Sequence, residues 1–304
     1  MKTITFRYFD VDHTGLTSSS SLVNRIIDKL SSAASDRMMP INKNNSDKFD
    51  LISNYFCTTD KKIIAGTCIR ITDSKVVPVI KNTILSQPQF SISTINENAN
   101  DDEKTCLDYF YFCLTDKNLI ITLDPRGGGV TRFETYIKWL LNTNVSDEGI
   151  SFTPSIDDNS ISISDLKRIT IGDSFRFAPS DDLKGTESGV QSTVVNLATN
   201  VLKQLLSDTS SLSDLMTDNI CSADLVIKFS KPRGMDNDEY KRKTAGAILK
   251  PLVDPDGIKF ATNGKKIKGS EVLRTEEVEV DEDKGIVSEQ NVYQELIKRI
   301  NALK

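Results

Sequence analysis

One histidine, His13, serves all 304 residues, and that scarcity removes most metal and triad chemistry at once. A Cys/His zinc site or a Ser-His-Asp triad would have to use that single ring. Cysteine is sparse too. Cys57, Cys68, Cys106, Cys113 and Cys221 are odd in number and no pair is spaced C-x-x-C. Cys68 and Cys113 lie inside apolar stretches, where a thiol behaves as a small hydrophobe. Long hydrophobic runs are missing: nothing approaches the ~20 residues that cross a bilayer. Met1 to Phe9 alternates polar and apolar residues, carries Arg7 and offers no small-residue cleavage site. It does not read as a signal peptide, and the chain is expected to be cytoplasmic. No cofactor is expected.

What the sequence does hold is a charge asymmetry. Lys228, Lys231, Arg233, Lys241, Arg242, Lys243, Lys250, Lys259, Lys265, Lys266 and Lys268 fall in one window, with only Asp236, Asp238, Glu239, Asp254 and Asp256 among them. Eleven cations against five acids give +6, so the remainder sums to −11 in a chain of net charge −5. Such a field favours a polyanionic partner, because each phosphate neutralised releases condensed counterions. The competing reading is a lysine-rich face that serves only solubility.

The pattern of elements predicts an α+β fold in two domains, 1–155 and 156–304, built of antiparallel hairpins with packed helices. Thr3 to Phe9 alternates like a strand. Leu22 to Leu30 has helical spacing behind a serine run that supplies N-caps. Phe49–Cys57 with Lys62–Ile71, and Asp108–Leu123 with its turn at Thr115–Asn118, read as hairpins. Phe133, Tyr136, Ile137, Leu140 and Leu141 make one helical face. In the second half the spacing predicts strands at Arg168–Phe177, Ala223–Phe229, Ile258–Ala261 and Val272–Val280. Helices are predicted at Val190–Leu206, Asp236–Leu249 and Val287–Leu303. The stripe Val292, Leu296, Ile300 and Leu303 on the last helix suits either a dimer contact or the second domain's own core.

Three constellations bear on chemistry. Asp10-Val-Asp-His-Thr14 resembles the Asp-x-Asp-x-Thr nucleophile motif of haloacid-dehalogenase-like phosphatases. There the first aspartate attacks and the second is a general acid, beside magnesium, with Asp173 as the candidate later acid. A polar turn is the competing reading. Arg126-Gly-Gly-Gly129 opens a helix, whose free N–H groups suit a phosphate with help from Arg126 and Arg132, although the spacing and lysine of a P-loop are absent. Lys241-Arg-Lys243 lies on a predicted helix with Lys250 further along, placed to follow a phosphate backbone without reading bases. Aromatics for stacking single strands are few in the window (Phe229, Tyr240 and Phe260), which favours duplex binding. An acidic run, Glu276 to Asp283, follows directly; it is either a solvated turn or a flap competing for the basic surface.

The order of these local features resembles the RexA group of phage-exclusion proteins from lambdoid prophages. The resemblance is carried by Phe6-Arg-Tyr8, the helix near Val23–Leu30, the strand pair around Ser53-Asn-Tyr55 and Ile63–Ile71, and Asp108-Tyr-Phe-Tyr-Phe112 with Leu119-Ile-Ile-Thr122. It continues through glycines to Trp139-Leu-Leu141, and in the second half through Ser222-Ala-Asp-Leu-Val-Ile-Lys228 followed by a basic segment. It implies a cytoplasmic, dimeric, two-domain DNA-binding protein without a catalytic centre, acting in superinfection exclusion with a membrane effector of the RexB type. The expectation is therefore sequence-blind binding of double-stranded DNA through Lys228, Lys231, Arg233, Lys241, Arg242, Lys243, Lys250, Lys265, Lys266 and Lys268, with Arg126 and Arg132. The alternatives are a magnesium-dependent phosphohydrolase using Asp10 and Asp12, and a basic module that docks an acidic protein.

Overall fold

The strand signalled by Thr3 to Phe9 becomes β1 (Lys2–Asp12), the strand on which the first sheet is assembled. The computed structural model describes residues 1–13, 21–41, 48–72, 82–97, 108–122, 129–142, 149–157, 161, 163–171, 176–177, 225–228, 237–249, 252–254, 258–262, 265–283 and 286–303. The chain is mixed α and β, and every described strand pairing is antiparallel. It divides into two compact units, Met1–Pro154 with Arg274–Lys304, and Ser155–Leu273.

In the first unit β1 is followed by α1 (Leu22–Leu30), β2 (Met39–Pro40), β3 (Lys48–Cys57) and β4 (Ile64–Thr72). Next come α2 (Asn82–Leu85), α3 (Ile92–Glu97), β5 (Asp108–Leu114), β6 (Asn118–Thr122), α4 (Gly129–Leu140) and β7 (Ser151–Pro154). The second unit holds β8 (Arg168–Ile171), β9 (Arg176–Phe177), β10 (Leu225–Lys228), α5 (Asn237–Leu249), β11 (Leu252–Asp254), β12 (Ile258–Ala261), β13 (Lys266–Lys268) and α6 (Gly269–Val272). The chain then re-enters the first unit as β14 (Thr275–Val280), β15 (Glu282–Asp283), β16 (Ile286–Val287) and α7 (Glu289–Asn301).

The first sheet runs β14-β1-β6-β5-β4-β3-β2, with β7 also paired to β1. Both of its faces are covered. Phe6, Tyr8, Tyr111, Cys113, Ile120, Val278 and Val280 pack with Val292, Tyr293, Leu296 and Ile300 of α7. On the other face Phe9, Phe110, Phe112, Leu119 and Ile121 meet Val23 and Ile26 of α1 and Phe133, Tyr136 and Ile137 of α4. Such alternation follows from the period of two along each strand. Ser21 caps α1 by accepting from Asn24 N, and Asp116 in the β5–β6 turn accepts from Val23 N, so two free helix N–H groups are satisfied. At Gly66 a Cβ would sit 2.8 Å from Asn54 O and 2.9 Å from the Phe112 ring, so β4 passes the β3 bulge only as glycine.

Several expectations change. Residues 274–304, assigned from sequence to the 156–304 domain, lie in the first unit, where β14 pairs with β1 in register Lys2↔Val280 to Arg7↔Thr275. The stripe on α7 closes that unit's core and not the core of the second: Leu296 is fully buried among first-unit residues. The single strand predicted over Arg168–Phe177 is two short ones, β8 and β9, in different sheets. The helix predicted at Val190–Leu206 lies outside the described residues.

Candidate nucleic-acid interface

The four-stranded sheet of the second unit, ordered β10-β8-β12-β13, sorts its side chains cleanly. Ile227, Ile169, Phe260 and Ile267 are aligned across it by the register Ile227↔Ile169, Phe260↔Ile169 and Phe260↔Ile267. Ile169, Phe260 and Ile267 are buried in one cluster with Ala245 and Leu249 of α5. The intervening residues therefore face the other way. One rank across the strands reads Lys228, Arg168, Ala261, Lys266; the next reads Val226, Thr170, Lys259, Lys268. Lys228, Arg168, Lys259, Lys266 and Lys268 are all exposed. None of the four strands contains an aspartate or glutamate. In most sheets an exposed face mixes signs because cross-strand pairs of opposite charge are favourable and like charges opposite one another are not. Here Lys259 stands opposite Lys268 and Lys228 opposite Arg168.

The predicted helical triad behaves differently. On α5 the buried positions Lys241, Ala245, Gly246 and Leu249 follow helical spacing, so the face that closes the core includes Lys241. Lys241 is 5% exposed and its Nζ donates to Ser164 O at 2.8 Å, spending the ammonium on a backbone carbonyl. It does not present a charge to solvent. Arg242 is half-buried, Tyr240 is 52% exposed, and the side chain of Lys243 lies outside the described residues. Lys265 is exposed in the β12–β13 turn. Lys231, Arg233, Lys250 and Arg126 lie outside the described residues.

Arg132 also has a different role. Its side chain is 8% exposed on α4, with Nε 2.9 Å from Asp50 and Nη1 donating to Asp108 at 3.1 Å. Asp50, 1% exposed, also accepts from Arg70 Nε at 2.9 Å and Nη2 at 2.8 Å. Asp50, Arg70 and Asp108 form one row across β3, β4 and β5 by register, and Arg132 bridges its two ends. This is a buried, internally balanced ion network that fastens helix to sheet, and the guanidinium is committed to carboxylates.

Asp10 and Asp12 are exposed on β1, opposite Asn118 and Thr153, and Ser151, respectively. β1 is antiparallel to β14, β6 and β7, whereas the phosphatase reading calls for repeated strand–helix units around a parallel sheet. Among the described residues no three His, Cys, Asp or Glu side chains are grouped for a metal, and Asp173 lies outside those residues. Cys68 is fully buried, and burial pushes its thiol up to about 12, so it is no thiolate nucleophile at neutral pH. No described helix is long and apolar enough to cross a membrane.

Two cations of the sheet face, Arg168 and Lys259, were absent from the residues chosen by sequence. The signal was alternation on short strands: Lys259 stands between buried Ile258 and Phe260, and Arg168 directly precedes buried Ile169. Comparison with protein-family models and with curated proteins finds no match to this chain.

Proposed function

We propose that the protein is a non-catalytic, two-domain α+β protein that binds double-stranded DNA with little sequence preference. In this reading it works as a homodimer in the cytoplasm, in exclusion of superinfecting phage, beside a membrane effector of the RexB type. The biological setting rests on the resemblance to the RexA group. The binding activity is carried by one observation: five exposed cations on the outward face of the β10-β8-β12-β13 sheet, whose four strands contain no acid. Lysine and arginine donate to phosphate oxygens and are attracted to the backbone whatever the bases are. The outward positions of the sheet's four strands hold no Asn or Gln with which to read adenine edges and no aromatic on which to stack a base. A mobility-shift assay with two unrelated duplexes at low and moderate salt tests the reading. Similar affinity for both duplexes, falling steeply with salt, is expected; sequence-selective binding, or none at low salt, contradicts it.

A further inference from the structure

The outward face carries its cations in two ranks, and the ranks are separated by two residues along each strand. Lys228, Arg168 and Lys266 form the first; Lys259 and Lys268 form the second. Residues two apart on a strand are about 7 Å apart, and a B-form minor groove is about 6 Å wide. Along the first rank, Lys228 to Lys266 crosses three inter-strand steps, roughly 14 Å. That length of duplex axis carries about four phosphates of one strand.

We infer that the two ranks engage two phosphate chains at once, so that the sheet lies across the rails flanking one groove of a double helix. The inference rests on the DNA-binding reading above and goes further. It assigns Arg168 and Lys259 to the site, and it makes duplex geometry, rather than charge alone, the feature recognised. Arg168 is the centre of the first rank, one strand from Lys228 and two strands from Lys266. Its planar fork suits a phosphate better than the point charge of lysine does. Lys259 and Lys268 are directly opposite one another, and together they form the cationic end of the second rank. A single strand has one phosphate chain and occupies one rank. It also finds no stacking platform, since Phe260 is turned into the core.

The test uses the full chain and two paired variants, Arg168→Ser with Lys266→Ser, and Lys259→Ser with Lys268→Ser, each with folding checked by circular dichroism. Affinities are measured for a random duplex of ~20 base pairs and for one of its strands at a fixed salt concentration. The wild type is expected to prefer the duplex. Each pair should lower duplex affinity about tenfold. Single-strand affinity should fall no more than about threefold, because the remaining rank still serves it. Equal losses on duplex and single strand would overturn the two-rail inference while leaving the duplex-binding reading in place. Unchanged duplex affinity in both pairs would overturn the assignment of the face. A wild type that binds no duplex would remove the underlying reading instead.

Discussion

The two sheets use basic residues in opposite ways. In the eight-stranded sheet both faces are covered, and three arginines packed against it are tied to specific acceptors. Arg70 and Arg132 share Asp50, and Arg37, 1% exposed, donates to Leu30 O at the end of α1 and to Pro88 O. In the four-stranded sheet one face is covered by α5 and the other presents Lys228, Arg168, Lys259, Lys266 and Lys268 without an acid among its strands. Arg37, Arg70 and Arg132 hold the first unit together; the second sheet's five cations are exposed on one face. A residue count cannot separate the two uses. Lys241 makes the same point within one segment, since it belongs to the basic window by sequence and to the core by geometry.

If the first-sheet network is structural, cutting it is the largest effect available. Asp50→Ala leaves two guanidinium groups without their shared acceptor in a buried site, and stability should fall by about 3–5 kcal/mol in urea unfolding. A loss below about 1 kcal/mol would mean that water enters and the network is not holding α4 to the sheet. Leu296→Ala comes next, at about 2–5 kcal/mol for a cavity under α7. The loss should appear in first-unit probes, because Leu296 packs with Phe6, Tyr8 and Ile120 in one cluster. A stable monomer with weakened self-association would return this helix to the dimer role that its stripe suggested.

Glu289 tests the covered face by pH. Its carboxylate accepts from Thr67 Oγ1 at 2.7 Å and Asn54 Nδ2 at 2.9 Å, while Tyr293 OH lies 2.6 Å from Thr67 Oγ1. Burial pushes its pKa above the ordinary 4.5, an effect that outweighs the hydrogen bonds favouring the anion. The folded state therefore holds this proton more tightly than the unfolded chain. Its contribution to stability is complete below the ordinary glutamate range and is lost as pH rises through the elevated value. Glu289→Gln should raise the urea midpoint at pH 7, with the gain shrinking as pH approaches 4.5. A gain that is independent of pH would show that the carboxylate titrates normally.

The smallest expected effect separates α5 from the sheet face. Lys241→Met removes the hydrogen bond to the Ser164 carbonyl, costing about 1 kcal/mol of second-unit stability, and should leave duplex affinity within about twofold. A large affinity loss in a folded Lys241→Met protein would restore the helical phosphate contact.

Much of this architecture was legible from the sequence. Period-two alternation marks β1 and both hairpins, and the 3.6-residue spacing marks α1, α4 and α7, because those patterns record which side of each element is buried; α5 is marked instead by the acids at its N-terminus. What was not legible was non-local. The segment Thr-Glu-Glu-Val-Glu-Val of β14 reads as a strand, but nothing in it states that its partner is β1, more than 260 residues earlier in register Thr3↔Glu279. The return of 274–304 to the first unit was missed for that reason. At the candidate interface, linear charge density points to the window but includes Lys241, which is buried, and omits Arg168, which lies well before it on β8. Sheet order, which places β8 between β10 and β12, supplied what the sequence could not.

The central claim is that the outward face of the second sheet meets phosphates, and the slope of log K against log salt tests it most directly. Five contacts to B-form DNA predict a slope of about −4.5 for each chain engaged, at about −0.9 for each phosphate. Arg168→Ser combined with Lys266→Ser should make it shallower by about 1.8 at every sequence examined. A slope unchanged by those two substitutions, in a folded protein that still binds duplex, would contradict the account.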